Sequence, residues 1–164
     1  MATIDQGSVQ RVRAALAAGG SPAQVIELAS SARSAAEAAA SLGVELGAIV
    51  KSLVFLIDGS PVMALVAGDR LCREAALPNV LGRTGAVRRA DANAVRQATG
   101  FAIGGVAPIG LPAPLACAID VSLGRFAAVY AAAGHPHCVF ATSLDELQRL
   151  TAGVVSDRIG RAPD

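Results

Sequence analysis

The sequence predicts one α/β domain, a mixed sheet with helices packed around it. Three observations carry this reading. Apolar residues recur at helical spacing before Gly43, then gather into strand-like runs from Ile49 onward, with helical segments returning later. The 164 residues match one ordinary domain and suffice to bury a core. No internal repeat or linker divides the chain, so residues 1–164 are taken as a single unit.

The elements follow in order. "SVQRVRAALAA", residues 8–18, has a helical pattern, with Ser8 as its cap and "GG" at 19–20 as its stop. "SPAQVIELA" reads as a short strand or loop. "SARSAAEAAASL", residues 31–42, reads as a second helix ended by Gly43, with Arg33 and Glu37 paired on its exposed face. "AIVKSLVFLI" and "PVMALVAG" are β-rich runs joined by "DGS", a hairpin signal. "LCREAAL" predicts a short helix ending before Pro78. "RRADANAVRQATG" predicts another, capped by Asp91 and stopped by Gly100. "FAIGGVAPIGLPAP" is too rich in Gly and Pro to be anything but loop. "LACAIDVSL", "FAAVYAAAG" and "HCVFA" are strand candidates. "SLDELQRLTAG" closes the chain as a helix whose Ser143 and Glu146 form a capping box.

Composition narrows the class. Apolar residues make up 53%, which excludes a disordered chain. No apolar run approaches the roughly 18 residues that cross a bilayer, and the first residues lack a basic-then-apolar leader pattern. The expectation is a cytoplasmic protein without a membrane partner. Cys72, Cys117 and Cys138 are odd in number and widely spaced, which argues against a disulfide framework or a zinc site; buried, inert thiols are expected. Trp is absent and Tyr130 is the one tyrosine, so a base-stacking platform is not expected. The net charge of +1 neither suggests nor excludes a nucleic-acid partner. Arg70, Arg73, Arg83, Arg88 and Arg89 form either a solvated face or a phosphate-contacting rim.

Four features could carry chemistry. Thirteen of the 14 basic residues are arginines; Lys51, inside "IVKSLVFLID", is the one lysine. Alternation permits it to face solvent, yet a lysine kept in so arginine-rich a chain suits a task needing a compact ammonium. "GGVAPIG", residues 104–110, leaves backbone amides bare at Gly104 and Gly105, and Pro108 stiffens the turn. Such a loop can aim N–H groups at a carbonyl oxygen or phosphate, or simply connect two elements. "GHPHC" holds the only histidines, His135 and His137. On a strand they would share a face, as a metal pair does, but no third ligand is evident from spacing, and one histidine lining a cleft is the better reading. Asp69 and Asp120 each follow an apolar run; a structural role is expected for both, with Asp120 the better functional candidate. No G-x-S-x-G elbow or dinucleotide fingerprint occurs.

Taken in order, "KSLVF", "PVMALVAGD", "TGFAIGGVAPIG", "AIDVSL", "AAAGHP" and "LDELQRLTAG" resemble the YbaK/prolyl-tRNA synthetase-associated editing domain family over roughly residues 25–160. The resemblance implies a compact domain whose mixed sheet curls towards a barrel. It implies a freestanding deacylase that hydrolyses mischarged aminoacyl-tRNA without metal or organic cofactor. Its partners would be the acceptor end of the tRNA and an aminoacyl-tRNA synthetase. The family's lysine matches Lys51, implied to hold the 3′-terminal nucleotide. Its G-x-x-x-P loop matches Gly104 to Pro108, so Gly104, Gly105, Val106, Ala107 and Pro108 would surround the scissile ester. Its late histidine matches His135, with His137 as substitute; Asp120 is carried as a substrate-binding candidate. An activated ester needs no protein nucleophile when water, or a substrate hydroxyl or thiol, is positioned and the oxyanion is stabilised, which agrees with the lack of a triad. Small amino acids such as Ala, Cys, Ser and Thr fit the discrimination problem that a second sieve solves. A non-catalytic binder of a tRNA end, and a hydrolase of a non-tRNA ester, are the competing readings. Oligomeric state stays open.

Overall fold

The protein, described here as a computed structural model, is defined over residues 3–164; Met1 and Ala2, at the start of the stretch read for a leader, lie outside the described residues. Helix α1 spans Gly7–Ala18 and turns Val9, Val12 and Leu16 into the core. A 3₁₀ turn at Thr3–Asp5 has already bent the chain, so the cap position falls at Gln6 and Ser8 does not cap the helix. Strand β1 is Val25–Glu27. Helix α2 is Ala35–Leu42, beginning later than its pattern suggests because Ser34 takes the cap position and accepts the Glu37 N–H at 3.1 Å. Arg33 therefore lies outside the helix, and the expected pairing with Glu37 is replaced by a Ser34–Glu37 hydrogen bond of 3.0 Å.

Strands β2 (Ile49–Ile57) and β3 (Ser60–Ala67) form the predicted hairpin. Asp58 and Gly59 both take positive φ, +47° and +81°, the turn whose twist matches an antiparallel pair. "LCREAAL" does not form one helix. Leu71–Cys72 becomes β4, Glu74–Ala76 a 3₁₀ turn, and α3 runs Leu77–Val80 with Pro78 inside its first turn, where a missing N–H has no helical partner to lose. After β5 (Val87–Arg89), α4 spans Ala92–Thr99, capped by Asp91 and stopped at Gly100 as expected. Then come β6 (Ala116–Asp120), β7 (Val129–His135), β8 (Cys138–Thr142) and α5 (Leu144–Thr151). Ser143 accepts the Glu146 N–H, one half of the capping box; the Glu146 carboxylate turns to Arg149 instead. Two short strands, β9 (Val154–Ser156) and β10 (Gly160–Arg161), complete the chain.

The mixed sheet runs β1–β8–β7–β2–β3–β6–β9 and curls into a half-barrel, while β4 and β10 pair separately. The feature that positions the site is one edge of β2. There β7 pairs with Ile49 and Val50, and β5 pairs with Phe55 to Ile57. Residues 51–53 lie between these partners, while the Val54 carbonyl still accepts the Ala90 N–H at 3.1 Å, so that edge carries a slot. The alternation of β2 explains its surroundings. Val50, Val54 and Leu56 face the main core with α1, α4 and α5. On the other face, Ile49 joins the small cluster under α2, and Phe55 and Ile57 join the cluster around Leu77 and Ile159. Lys51 falls in the break between those two clusters.

Candidate active site

The slot opens into a cavity of about 400 Å³. Lys51, Ser52 and Val54 of β2 line it, facing Gly104, Val106 and His135 from the loop and from β7. Arg33 and Ser34, at the start of α2, and Arg89 of β5 stand on its rim. The structure thus brings Lys51, Gly104, Val106 and His135 to one cavity.

Each is placed by a local cause. Lys51 is half-buried, and its Nζ donates to the Arg70 carbonyl. Burial pulls its pKa below the ordinary lysine value, helped by the Arg89 charge, while Cys72, Asp120 and Asp69 push the other way. The Arg70 carbonyl is presented by the turn after β3, which Asp69 anchors through two bonds to Arg125, at 2.7 and 2.9 Å. The Arg125 hydrogen bond holds the Asp69 carboxyl below the usual range. Asp69 is structural, as expected.

The loop meets β7 where that strand is irregular. Register slips between Ala132 and His135, and Gly134 takes φ +93°. A Cβ on Gly134 would lie 2.6 Å from the Ser8 carbonyl oxygen, so only glycine lets α1 approach there. The irregularity carries His135 to the cavity wall. Its Nδ1 accepts the His137 N–H at 3.0 Å, which leaves the proton of the neutral ring on Nε2. Burial, then the His137 and Arg33 charges, lower the His135 pKa; Glu27 opposes them. The ring is therefore neutral at pH 7 and available as a hydrogen-bond donor.

Several expected site residues lie elsewhere. Gly105 does not offer a free amide: its N–H closes a turn on the Ala102 carbonyl at 3.0 Å, and its own role is close packing against His135. Among the described residues, no backbone acceptor takes the N–H of Gly104 or Val106. Ala107 is fully buried in the core. Pro108 turns away, onto a second cavity between α1 and α5, because the loop crosses beneath α1 at Gly110. Asp120 is 2% exposed, and its carboxylate is engaged by the N–H groups of Ala67 (3.1 Å) and Ser122 (2.9 Å). It fixes the junction of β3 and β6 rather than lining the cavity. His137 sits in the turn after β7, its ring 5.4 Å from that of His135, so the two do not share a strand face as a metal pair would. Among the described residues, no group of three metal-ligating side chains occurs.

Sequence reasoning passed over Arg33 and Ser52. Arg33 was assigned to a helix that begins after it. The Ser52 hydroxyl is buried without a partner among the described residues, on the strand position next to Lys51. The cysteines are free: burial raises the Cys72 and Cys138 thiols to about 11 and Cys117 to about 12, so none is a thiolate at neutral pH. No helix among the described residues is long and apolar enough to cross a membrane.

A curled sheet with a slot thus brings a lone lysine, a glycine loop and a neutral histidine to one cavity. The model of the aminoacyl-tRNA editing domain family matches residues 29–150, and this chain belongs to that family. The proline–tRNA ligase of Desulfovibrio desulfuricans is 35% identical over 119 residues, covering 73% of this chain and 21% of the ligase. That of Nitratidesulfovibrio vulgaris is 43% identical over 75 residues, covering 46% of this chain and 13% of the ligase. The chain thus spans about a fifth or less of the curated relatives it matches. A solved protein described as a candidate trans-editing enzyme for prolyl tRNA synthetase superposes with a TM-score of 0.87 and 38% identity, covering 96% of this chain and 99% of that one. A second solved protein, of unassigned function, reaches a TM-score of 0.84 at 31% identity, covering 92% and 99%.

Proposed function

We propose that this protein is an aminoacyl-tRNA deacylase that hydrolyses the ester of mischarged tRNA in the cavity of the β2 slot. The observation that carries the reading is the convergence of Lys51, Gly104, Val106 and His135 on that one cavity in a chain of the editing-domain family. In this reading Lys51 and the rim residues Arg33 and Arg89 take the 3′-terminal nucleotide. The amides of Gly104 and Val106, with the His135 Nε2–H, meet the oxyanion that develops as water, or a hydroxyl or thiol of the substrate, attacks. Oxyanion donors of this kind are worth ~3–4 kcal/mol each in acyl transfer. The neutral histidine suits donation and not base catalysis, because its acceptor nitrogen is already occupied. Val50, Val54, Val95 and Val106 bound the cavity with apolar branches, which favours a small side chain such as that of Ala, Cys, Ser or Thr. The tRNA acceptor end is the partner, and a synthetase, the prolyl enzyme first, is the candidate supplier.

The test is a panel of tRNAs charged with Ala, Cys, Ser or Thr, assayed with the wild-type chain and with Lys51→Ala. Deacylation of one or more by the wild type, lost to a large extent in an equally folded Lys51→Ala, is expected. Binding without turnover across the panel would refute the enzyme reading. Full activity of Lys51→Ala would refute the role given to the lysine.

A further inference from the structure

We infer that an arginine ridge running out from the cavity rim, from Arg89 to Arg70 and Arg73, takes phosphates of the RNA strand that leads away from Lys51. The identity of the polyanion rests on the deacylase reading; the ridge adds Arg70 and Arg73, which that reading does not use.

Charge is concentrated there. Residues 70–90 hold five arginines and one acid, Glu74, in a chain whose net charge is only +1, so the remainder is net negative. Of the acids that border this stretch, Asp69 is held by Arg125 and lies 3.8 Å from Arg70 Nε, and Asp91 caps α4. The ridge is continuous with the site. Lys51 Nζ bonds the Arg70 carbonyl, and the Arg73 N–H is fixed by the Ile159 carbonyl at 2.7 Å, where β4 meets β10. Arg89 stands opposite Phe55, four residues along β2 from Lys51, about 13 Å at the strand rise. That span is longer than one phosphate.

The arginines also retain free hydrogen-bonding capacity. The Arg89 guanidinium lies 5.5 Å from the Phe55 ring centroid, a stacking that orients the fork while its N–H edge stays open. Arg70 Nε is buried and 3.8 Å from an Asp69 carboxylate oxygen, so it is closed to phosphate; the 30% exposure of that side chain lies on its other atoms. Planar forks with unused donors match phosphate in two-point contacts. Because the ridge begins at the residue proposed to hold the terminal nucleotide, the polyanion that fits is the same RNA.

The experiment measures binding of uncharged, end-labelled tRNA by fluorescence anisotropy across a salt series, with the wild type, Arg73→Gln, Arg73→Glu and, as a control on α1, Arg13→Gln. Arg73→Gln is expected to weaken binding and to lower the slope of log affinity against log salt by about one. Arg73→Glu should weaken it further, with unfolding temperatures unchanged and Arg13→Gln behaving as wild type. With mischarged tRNA, KM should rise at constant kcat; with a short aminoacylated acceptor-end fragment, the rate should not change. Wild-type affinity and salt slope in Arg73→Glu would overturn the ridge. A wild type that binds tRNA through Arg73 but hydrolyses no charged tRNA or fragment would overturn the deacylase reading and leave the ridge standing.

Discussion

Replacing Gly105 with alanine separates the space a residue occupies from the backbone shape it needs. Gly105 lies outside the left-handed region, so its backbone accepts a side chain. The obstacle is steric. An added Cβ would stand 2.9 Å from the His135 Cα, 3.0 Å from its N and 3.2 Å from the Gly134 carbonyl carbon. All three are backbone atoms and cannot rotate aside. Ordinary contact begins near 3.4 Å, so the loop and the end of β7 must part by about half an ångström. Overpacking of this kind costs roughly 2 kcal/mol, which in a chain of this size lowers Tm by about 4–8 °C. The same movement separates the Gly104 and Val106 amides from the His135 ring. A misplacement of about 1 Å costs on the order of a hundredfold in rate, so half of that predicts about a tenfold loss in kcat. Gly104→Ala is the contrasting variant. Its Cβ would meet nothing closer than 3.7 Å, but φ is +96°, so its penalty comes from the backbone. Thermal unfolding and single-turnover deacylation read both effects. Wild-type Tm and rate in Gly105→Ala would refute the proposed contact between loop and strand.

Three further outcomes follow from the same geometry. Asp120→Ala leaves the buried Ala67 N–H and the half-buried Ser122 N–H without acceptors, at up to roughly 1–3 kcal/mol each; Tm should fall by about 5–15 °C while KM for charged tRNA stays constant, and a KM change without loss of stability would return Asp120 to the site. The His135 pKa is lowered in the folded chain, so its contribution to stability is present above the ordinary value of 6.5 and is lost as pH falls through the folded value. Wild-type Tm should therefore drop more steeply on the acid side than that of His135→Gln, and parallel curves would contradict the burial that lowers this pKa. The Asp69 pKa is likewise lowered, so Asp69→Asn should cost about 1 kcal/mol at pH 7, a difference that disappears in acid once pH falls through the folded pKa of the wild type; an equal deficit at all pH values would show that the Arg125 pair is not its source.

Local signals made much of the fold legible. The Asp58–Gly59 turn, the Asp91 cap and the Gly43 and Gly100 stops are decided by residues next to one another in the chain, and each appears where its residues predict. The failures are equally physical. Ser8 lost the cap position to Gln6 because a preceding 3₁₀ turn set the chain direction. "LCREAAL" became strand, turn and helix because Cys72 pairs with Gly160, a partner far along the chain that no local pattern announces. The site divided in the same way. Lys51 stood out as a lone lysine in an apolar strand, and Gly104 as a bare amide in a loop. The direction taken by Pro108 depends on where α1 crosses the loop, and the engagement of Asp120 depends on amides from β3 and from the turn after β6.

The slot itself explains why the lysine could be read only in part. In a continuous sheet, alternation would place Lys51 beside Phe55 and Ile57 on a buried face, where a charge is costly. The interruption of pairing between β7 and β5 removes that conflict. It splits the face into two clusters and opens the backbone of residues 51–53 to the cavity. The break also turns the Arg70 carbonyl from an ordinary turn group into the acceptor that holds the ammonium in place. An isolated strand pattern specifies the lysine but not the missing neighbour beside it. The charge is tolerated because two strands share one edge of β2 and leave a gap, and the same gap is what gives a ligand access to it.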